Sequence, residues 1–210
     1  MNWTIENWDR LAEALGEHVV MVGTALLISL AISLPLGIWA ARRPGLYVAT
    51  MSVTGVLYTI PALALFAFLI PFMGLGTAPA ITALVLYSLL ILVRNIAIGI
   101  RELPAELIEA ADGMGYGRAR RLLRIELPLA LPVIVAGIRI TAVSQIAVAT
   151  IAAYISAGGL GDIIFQGITQ DFGEKIVAGA VTASLLAIVV DEALKLVERR
   201  LRAASAAEPL

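Results

Sequence analysis

The chain has 210 residues, 60% hydrophobic and only 15% charged, with 15 Lys/Arg against 16 Asp/Glu. Soluble domains carry about 25% charged residues, and the mean hydropathy here is +0.93, so a soluble globular domain is excluded. The absence of cysteine and the single histidine, His18, exclude disulfides, thiolate or histidine-rich metal sites and cysteine nucleophiles.

Residues 1–18 interleave Trp3, Ile5, Trp8, Leu11 and Leu15 with Glu6, Asp9, Glu13 and Glu17. That spacing predicts an amphipathic helix. Tryptophan favours the membrane–water boundary, so the helix is expected to lie on the membrane surface, with His18 as a polar surface residue. Its acidic start does not fit a secretory signal. Five apolar segments follow, at 19–41, 46–72, 80–100, 130–155 and 176–197. A bilayer-crossing helix needs about 20 apolar residues. The segments are continuous rather than alternating, which excludes a barrel reading. Pro61 is expected to kink the second. Gly158, Gly159, Gly161 and Gly167 mark 156–175 as a loop with a short helix at 162–168, and 201–210 is expected to be a disordered tail.

Basic residues orient these segments. Eleven of the fifteen Lys/Arg lie at 42–45, in 101–128 or after Ala193, and only Arg10 and Lys175 lie on the other face. The N-terminus is therefore expected outside and the C-terminus in the cytoplasm. Arg94 and Arg139 fall inside apolar segments. They are expected either to snorkel to the inner surface or to pair with Glu102, Glu126 or a carbonyl. The fold expected is an all-α integral membrane protein with five transmembrane helices, forming one domain over 19–200.

The cytoplasmic stretch 101–129 is the informative one. Pro104 can open a helix, with Glu106 and Glu109 near its positive end. Gly113, Gly115 and Gly117 are expected to stop it. A basic helix then runs from Arg118 to Leu127, ended by Pro128. The product is a helix–turn–helix whose small Ala110 and Ala111 admit a close partner and whose Glu109 offers a charge. Neither lysine of the chain, Lys175 or Lys195, follows the glycine pattern of a phosphate loop, so no ATP site is expected here.

Residues 109–128 carry the pattern E-A-A-x3-G-x9-I-x-L-P at Glu109, Ala110, Ala111, Gly115, Ile125, Leu127 and Pro128. This resembles the signature of permease subunits of bacterial binding-protein-dependent ABC importers. Tyr58–Leu65, Leu92–Asn95, Ala130–Ile134 and Ala157–Asp162 are similar to the osmoprotectant branch, which imports glycine betaine, carnitine and choline; Ile91 departs from it, standing where a proline is expected. The resemblance implies a type I importer permease fold and places the chain in the bacterial inner membrane. As partners it implies two ATPase subunits holding ATP and Mg2+, a second permease chain and an extracytoplasmic binding protein, besides lipid. It implies no cofactor on this chain, no nucleic acid, no metal and no catalytic residue.

On this reading, the seven pattern residues couple to the ATPase. Tyr58, Asn95, Ser144, Gln145 and Tyr154 are the pathway candidates, with Thr59, Ser88, Thr141 and Thr150 as further polar residues of the same segments. Tyr58 and Tyr154 are the aromatics placed for a quaternary ammonium ligand. Gly158, Gly159 and Gly161 are either an ordinary turn or the surface that meets the binding protein. Three alternatives stand beside it: a permease for an amino acid such as methionine, an ion-coupled secondary transporter, which would favour buried acids mid-membrane, and a membrane enzyme, for which no catalytic constellation is found.

Overall fold

The computed structural model describes residues 2–207, and those residues are helical throughout apart from short connections. Helix α1 (Asn2–Glu6) leads into the 35-residue α2 (Trp8–Arg42). Helix α2 runs unbroken through residue 18, so the expected boundary there does not divide a surface helix from the first span. The buried residues Leu11, Ala14, His18, Met21, Val22, Ala25, Ser29, Ser33, Gly37 and Ala40 form one unbroken stripe along α2. Steps of three and four residues keep that stripe on one face, and no proline interrupts the helix before Pro35. The amphipathic start is thus one end of the first span. Trp3 joins Leu11, Ala14, Leu160, Ile163 and Ala178 in a buried cluster. His18 is fully buried, its Nε2 lying 3.1 Å from the Ile146 carbonyl, so it is not a surface residue.

The second apolar segment is two helices, α3 (Pro44–Thr59) and α4 (Ala62–Met73), at 96° to each other. Proline disfavours helical backbone in the residue before it, and both Ile60 (φ −67, ψ 128) and Pro61 (φ −57, ψ 137) are extended. The Tyr87 hydroxyl donates to the Ile60 carbonyl that the break leaves open. A full break therefore replaces the expected kink. Among the described residues, the helices long and apolar enough to cross a membrane number four, or five if the bent pair counts as one.

Helix α5 (Thr77–Arg101) crosses next, followed by α6 (Ala105–Gly113) and the single turn α7 (Arg118–Arg121). A π turn over Leu122–Glu126 joins α7 to α8 (Leu127–Ile151). Pro128 does not end a helix; it sits in the first turn of α8. A proline in an unbroken α-helix collides with the carbonyl four residues earlier. Here the Leu127 N–H reaches back five residues, to the Leu122 carbonyl. The wider turn carries the chain into α8, where a first-turn proline is tolerated.

A 3-10 turn (Ala152–Ile155) and a loop lead to α9 (Leu160–Thr169), which contains the predicted 162–168 helix. Helix α10 (Gly173–Ala207) closes the fold. It continues through seven residues of the expected tail, and 208–210 lie outside the described residues. The core is α2 on α5, α5 on α8 and α8 on α10. Gly137 lets α8 approach α5, since a β-carbon there would lie 2.6 Å from Asn95 Cβ. Small residues are what allow such close helix packing in lipid.

Candidate functional site

The 101–129 loop folds as the predicted first helix and turn, with one glycine doing the turning, but its second helix does not stop at Pro128 and runs on through the π turn into α8. Gly115 has φ +79. Its N–H bonds the Asp112 carbonyl at 3.0 Å, and the Tyr116 N–H bonds the Ala111 carbonyl at 3.1 Å. Those two bonds form a Schellman closure with Gly115 in the left-handed position. Gly113 is the last residue of α6, and Gly117 precedes α7 with φ −65. Glu109 and Ala110 face outward, Ala111 is fully buried, and Ile125 and Leu127 are half-buried. Glu109 makes no ion pair among the described residues, so its charge is available to a partner. Met114, 63% exposed, stands beside it on the loop. Sequence reading passed over Met114 because a lone methionine among glycines carries no pattern.

Behind the loop lies an ionic chain. Arg121 donates to Asp112 at 2.5 and 2.6 Å and to Glu126 at 2.8 Å, and Arg42 donates to Glu126 at 3.1 Å. Glu126 is thus taken by Arg121 and Arg42, and not by the intramembrane arginines. Arg139 lies 3.6 Å from Asp191 and 3.7 Å from Glu198, both on α10. Arg94 is exposed and has no ion-pair partner among the described residues.

A cavity of about 230 Å³ opens between α3, α5 and α8, lined by Tyr58, Tyr87, Ser88, Thr141, Ser144 and Gln145 among others. Ser88 lies 13 residues before the end of α5, or ~20 Å at the helical rise, which is well inside a hydrocarbon core of ~30 Å. Ser88 donates to the Leu84 carbonyl at 2.7 Å and accepts from Gln145 Nε2 at 2.6 Å. Gln145 is 3% exposed, and its Oε1 has no hydrogen-bond partner among the described residues. A buried amide oxygen without a donor costs about 1–3 kcal/mol, so it is poised to accept one from a visiting group. A second opening of about 410 Å³ shares Tyr58 and Ile91 and adds Arg94 and Asn95.

The structure brings Tyr58, Ser144 and Gln145 together and sets Asn95 beside them. It does not bring in Tyr154, which is 67% exposed and stacks edge-on against Phe165 at 6.1 Å. The aromatic that faces Tyr58 is Tyr87, with ring centroids 5.7 Å apart and planes at 87°. Sequence reading passed over Tyr87 although Ser88 beside it was noted, because its aromatic partner Tyr58 is remote in the chain. Thr59 and Thr150 bond carbonyls of their own helices and do not line the cavity.

At the opposite end, Gly158 and Gly159 both take positive φ, 80 and 79. The Gly159 N–H donates to Glu17 Oε2 at 2.8 Å, which places a carboxylate at the start of α9, where the helix dipole favours it. Gly159 and Gly161 are buried and Gly158 is half-buried. A β-carbon on Gly161 would lie 2.0 Å from the Thr150 carbonyl oxygen. These glycines therefore pack the loop, whereas Tyr154 and Ile168 are exposed. Burial and the nearby Glu17 charge push the Asp162 carboxyl above its usual value, with Arg10 opposing them.

Residues 33–203 match the family model of the binding-protein-dependent transport system inner membrane component. The chain belongs to this family. An inner membrane component is a permease, the transport subunit of an ABC importer, and its seat is the inner membrane. The permease is 42% identical over 196 residues to a carnitine transport permease protein of Listeria monocytogenes, covering 93% of this chain and 90% of the relative. It is 40% identical to a choline transport system permease protein of Bacillus subtilis (strain 168), covering 88% and 85%. An osmoprotectant import permease protein of Salmonella typhimurium is 39% identical, covering 91% of each chain. In fold, the permease is similar to an inward-facing methionine ABC transporter, with TM-score 0.83, 24% identity and coverage of 91% and 95%. An amino acid ABC transporter with histidines gives TM-score 0.78 at 18% identity, covering 94% and 96%.

Proposed function

We propose that this permease carries a quaternary ammonium osmoprotectant, such as glycine betaine, carnitine or choline, across the inner membrane, driven by ATP on a separate subunit. The observation that carries the ATP-driven part is the exposed Glu109–Ala110 edge of α6 on a loop closed by Gly115. A short helix with small residues and exposed carboxylates at Glu106 and Glu109, neither in an ion pair among the described residues, suits the groove of another protein. The substrate part rests on relatives at 39–42% identity named for carnitine, choline and osmoprotectants. Similarity to a methionine transporter at 24% identity speaks for the fold and not for methionine.

On this reading Glu109, Ala110, Ala111, Gly115, Ile125, Leu127 and Pro128 form the coupling element, and the loop lies in the cytoplasm. ATP and Mg2+ belong to two ATPase subunits. A second permease chain completes the pathway, and an extracytoplasmic binding protein supplies affinity. Tyr58, Tyr87, Ser144 and Gln145 line the route, with Asn95 beside it. Their cavity is mostly apolar, which suits an ion that must be released again. ATP binding closes the ATPase pair, moves the two loops together and switches access to the cavity.

An ion-coupled transporter fits less well. The buried carboxylates among the described residues are Glu126 and Glu198. Both sit at the loop end beside arginines rather than at mid-span.

Co-purification tests the coupling. The wild-type permease should carry a P-loop ATPase through purification, and replacing Glu109 and Gly115 together should release it. Retention of both ATPase association and uptake in that double variant would exclude the loop as the coupling element.

A further inference from the structure

Helix α3 forms one wall of the cavity yet is thinly held. Only Thr50 and Thr54 of its 16 residues are buried, whereas twelve residues of α5 are. An element with few buried contacts is the one that moves at least cost. Its far end carries Tyr58, a lining residue. Its near end begins at Pro44, two residues after Arg42.

Arg42 is bonded to the coupling loop through a buried acid. Glu126 is 3% exposed and lies in the π turn that follows α7. One carboxylate oxygen accepts from Arg42 at 3.1 Å and the other from Arg121 at 2.8 Å. Arg121 also holds Asp112 of α6. The chain Asp112–Arg121–Glu126–Arg42 thus runs from the coupling helix to the root of α3. A buried carboxylate that loses one of its cations is left undercompensated at considerable cost, so these groups tend to move as a unit. π turns recur at functional positions in helices. This one places the acid between two cations contributed by different parts of the chain.

We propose that Glu126 is a positioning residue that transmits movement of α6 to α3 through Arg42, so that motion at the loop opens or closes the Tyr58 side of the cavity. The proposal rests on the ATP-driven reading above. It assigns Glu126 and Arg42 a part that the E-A-A pattern does not contain, since neither is among its fixed positions.

The test uses the complete transporter in proteoliposomes, with its ATPase subunits and binding protein. The chain has no cysteine, so Val56→Cys, at an exposed position of α3, takes an environment-sensitive fluorophore. Three variants are compared on that background: Glu126→Gln, Arg42→Gln and the charge-keeping Arg42→Lys. In the parent, ATP should shift the fluorescence. In E126Q and R42Q the ATPase should still co-purify, but the shift should vanish, and substrate moved per ATP hydrolysed should fall about 5-fold or more, the lower end of ordinary coupling effects. R42K should restore both.

A merely structural role would lower yield and ATPase association together, leave transport per ATP unchanged in the complexes that assemble, and overturn the proposal. An unchanged shift in R42Q would overturn it as well. If E126Q does not assemble, R42Q against R42K decides, because Arg42 is 36% exposed at a helix end. A wild-type chain that neither binds an ATPase nor transports would sink the ATP-driven reading, and this proposal with it.

Discussion

Gly161→Ala isolates the packing of α9 on α8. The added β-carbon would sit 2.0 Å from the Thr150 carbonyl oxygen and 2.8 Å from Ala153 Cβ. An ordinary C···O approach is about 3.3 Å or more, so α9 must retreat by about 1 Å. The oxygen belongs to the backbone and has no rotamer by which to give way. A gap of 0.5–1 Å forfeits roughly a quarter to a half of each affected dispersion contact, and the shift also disturbs Leu160 and Ile163 of α9, which are buried against Trp3, Leu11, Ala14 and Ala178. Overpacking of this kind costs about 1–3 kcal/mol, and the upper half of that range is expected. For a chain of this size each kcal/mol lowers Tm by about 2–4 °C. The control is Gly16→Ala, in the interior of α2 with nothing within 4 Å of the new carbon. There the better helix propensity of alanine should be neutral or stabilising by up to about 1 kcal/mol. Thermal unfolding in detergent, followed by tryptophan fluorescence, compares the two. Equal melting of the two variants would refute the α8–α9 packing described above.

Gly115→Ala forces a side chain into φ +79 and should cost about 1–2 kcal/mol, read as weaker ATPase association with little change in overall melting. Ser88→Ala removes the 2.6 Å acceptor of the Gln145 amide and leaves it only the Leu84 carbonyl at 3.5 Å, at a cost of about 1 kcal/mol; unchanged thermal stability would mean that the Ser88–Gln145 pair is not formed. For Asp162, burial raises the folded-state pKa above 3.8. The folded protein then holds the proton more tightly than the unfolded chain, and the charged form is penalised. Stability from this group should therefore rise as pH falls from above the raised value toward 3.8. Asp162→Asn should accordingly stabilise at neutral pH and lose that advantage in acid, which melting curves across pH would check.

The spans and the coupling loop were legible because their signals are local. Continuous apolar runs, Pro104 at a helix start and Gly115 at a helix stop depend on near neighbours alone. The short helix at 162–168 was legible for the same reason. What escaped depends on contacts between distant residues. Pro61 announced a disturbance, but its size is tied to the carbonyl of Ile60, which accepts a hydrogen bond from the Tyr87 hydroxyl 27 residues away. Pro128 pointed to a helix end, and the π turn that carries the chain past it has no sequence signature. His18 looked like a surface residue because Glu13 and Glu17 flank it, while the buried stripe of α2 that includes it extends across the expected boundary at residue 18. Glu126 was a candidate partner for Arg94 or Arg139, and its actual partner Arg42, 84 residues away, was visible only once the fold put the two 3.1 Å apart. The glycines at 158–161 were recognised as special, but their neighbours Glu17, His18 and Thr150 belong to other helices.

The central claim is ATP-driven import of a quaternary ammonium compound through this permease. Uptake of radiolabelled glycine betaine, carnitine, choline and methionine into proteoliposomes holding the full complex, with and without internal ATP, tests it most directly. The account predicts ATP-dependent uptake of at least one quaternary ammonium compound and none of methionine. Uptake driven by an ion gradient without ATP, or ATP-dependent uptake of methionine alone, would contradict it.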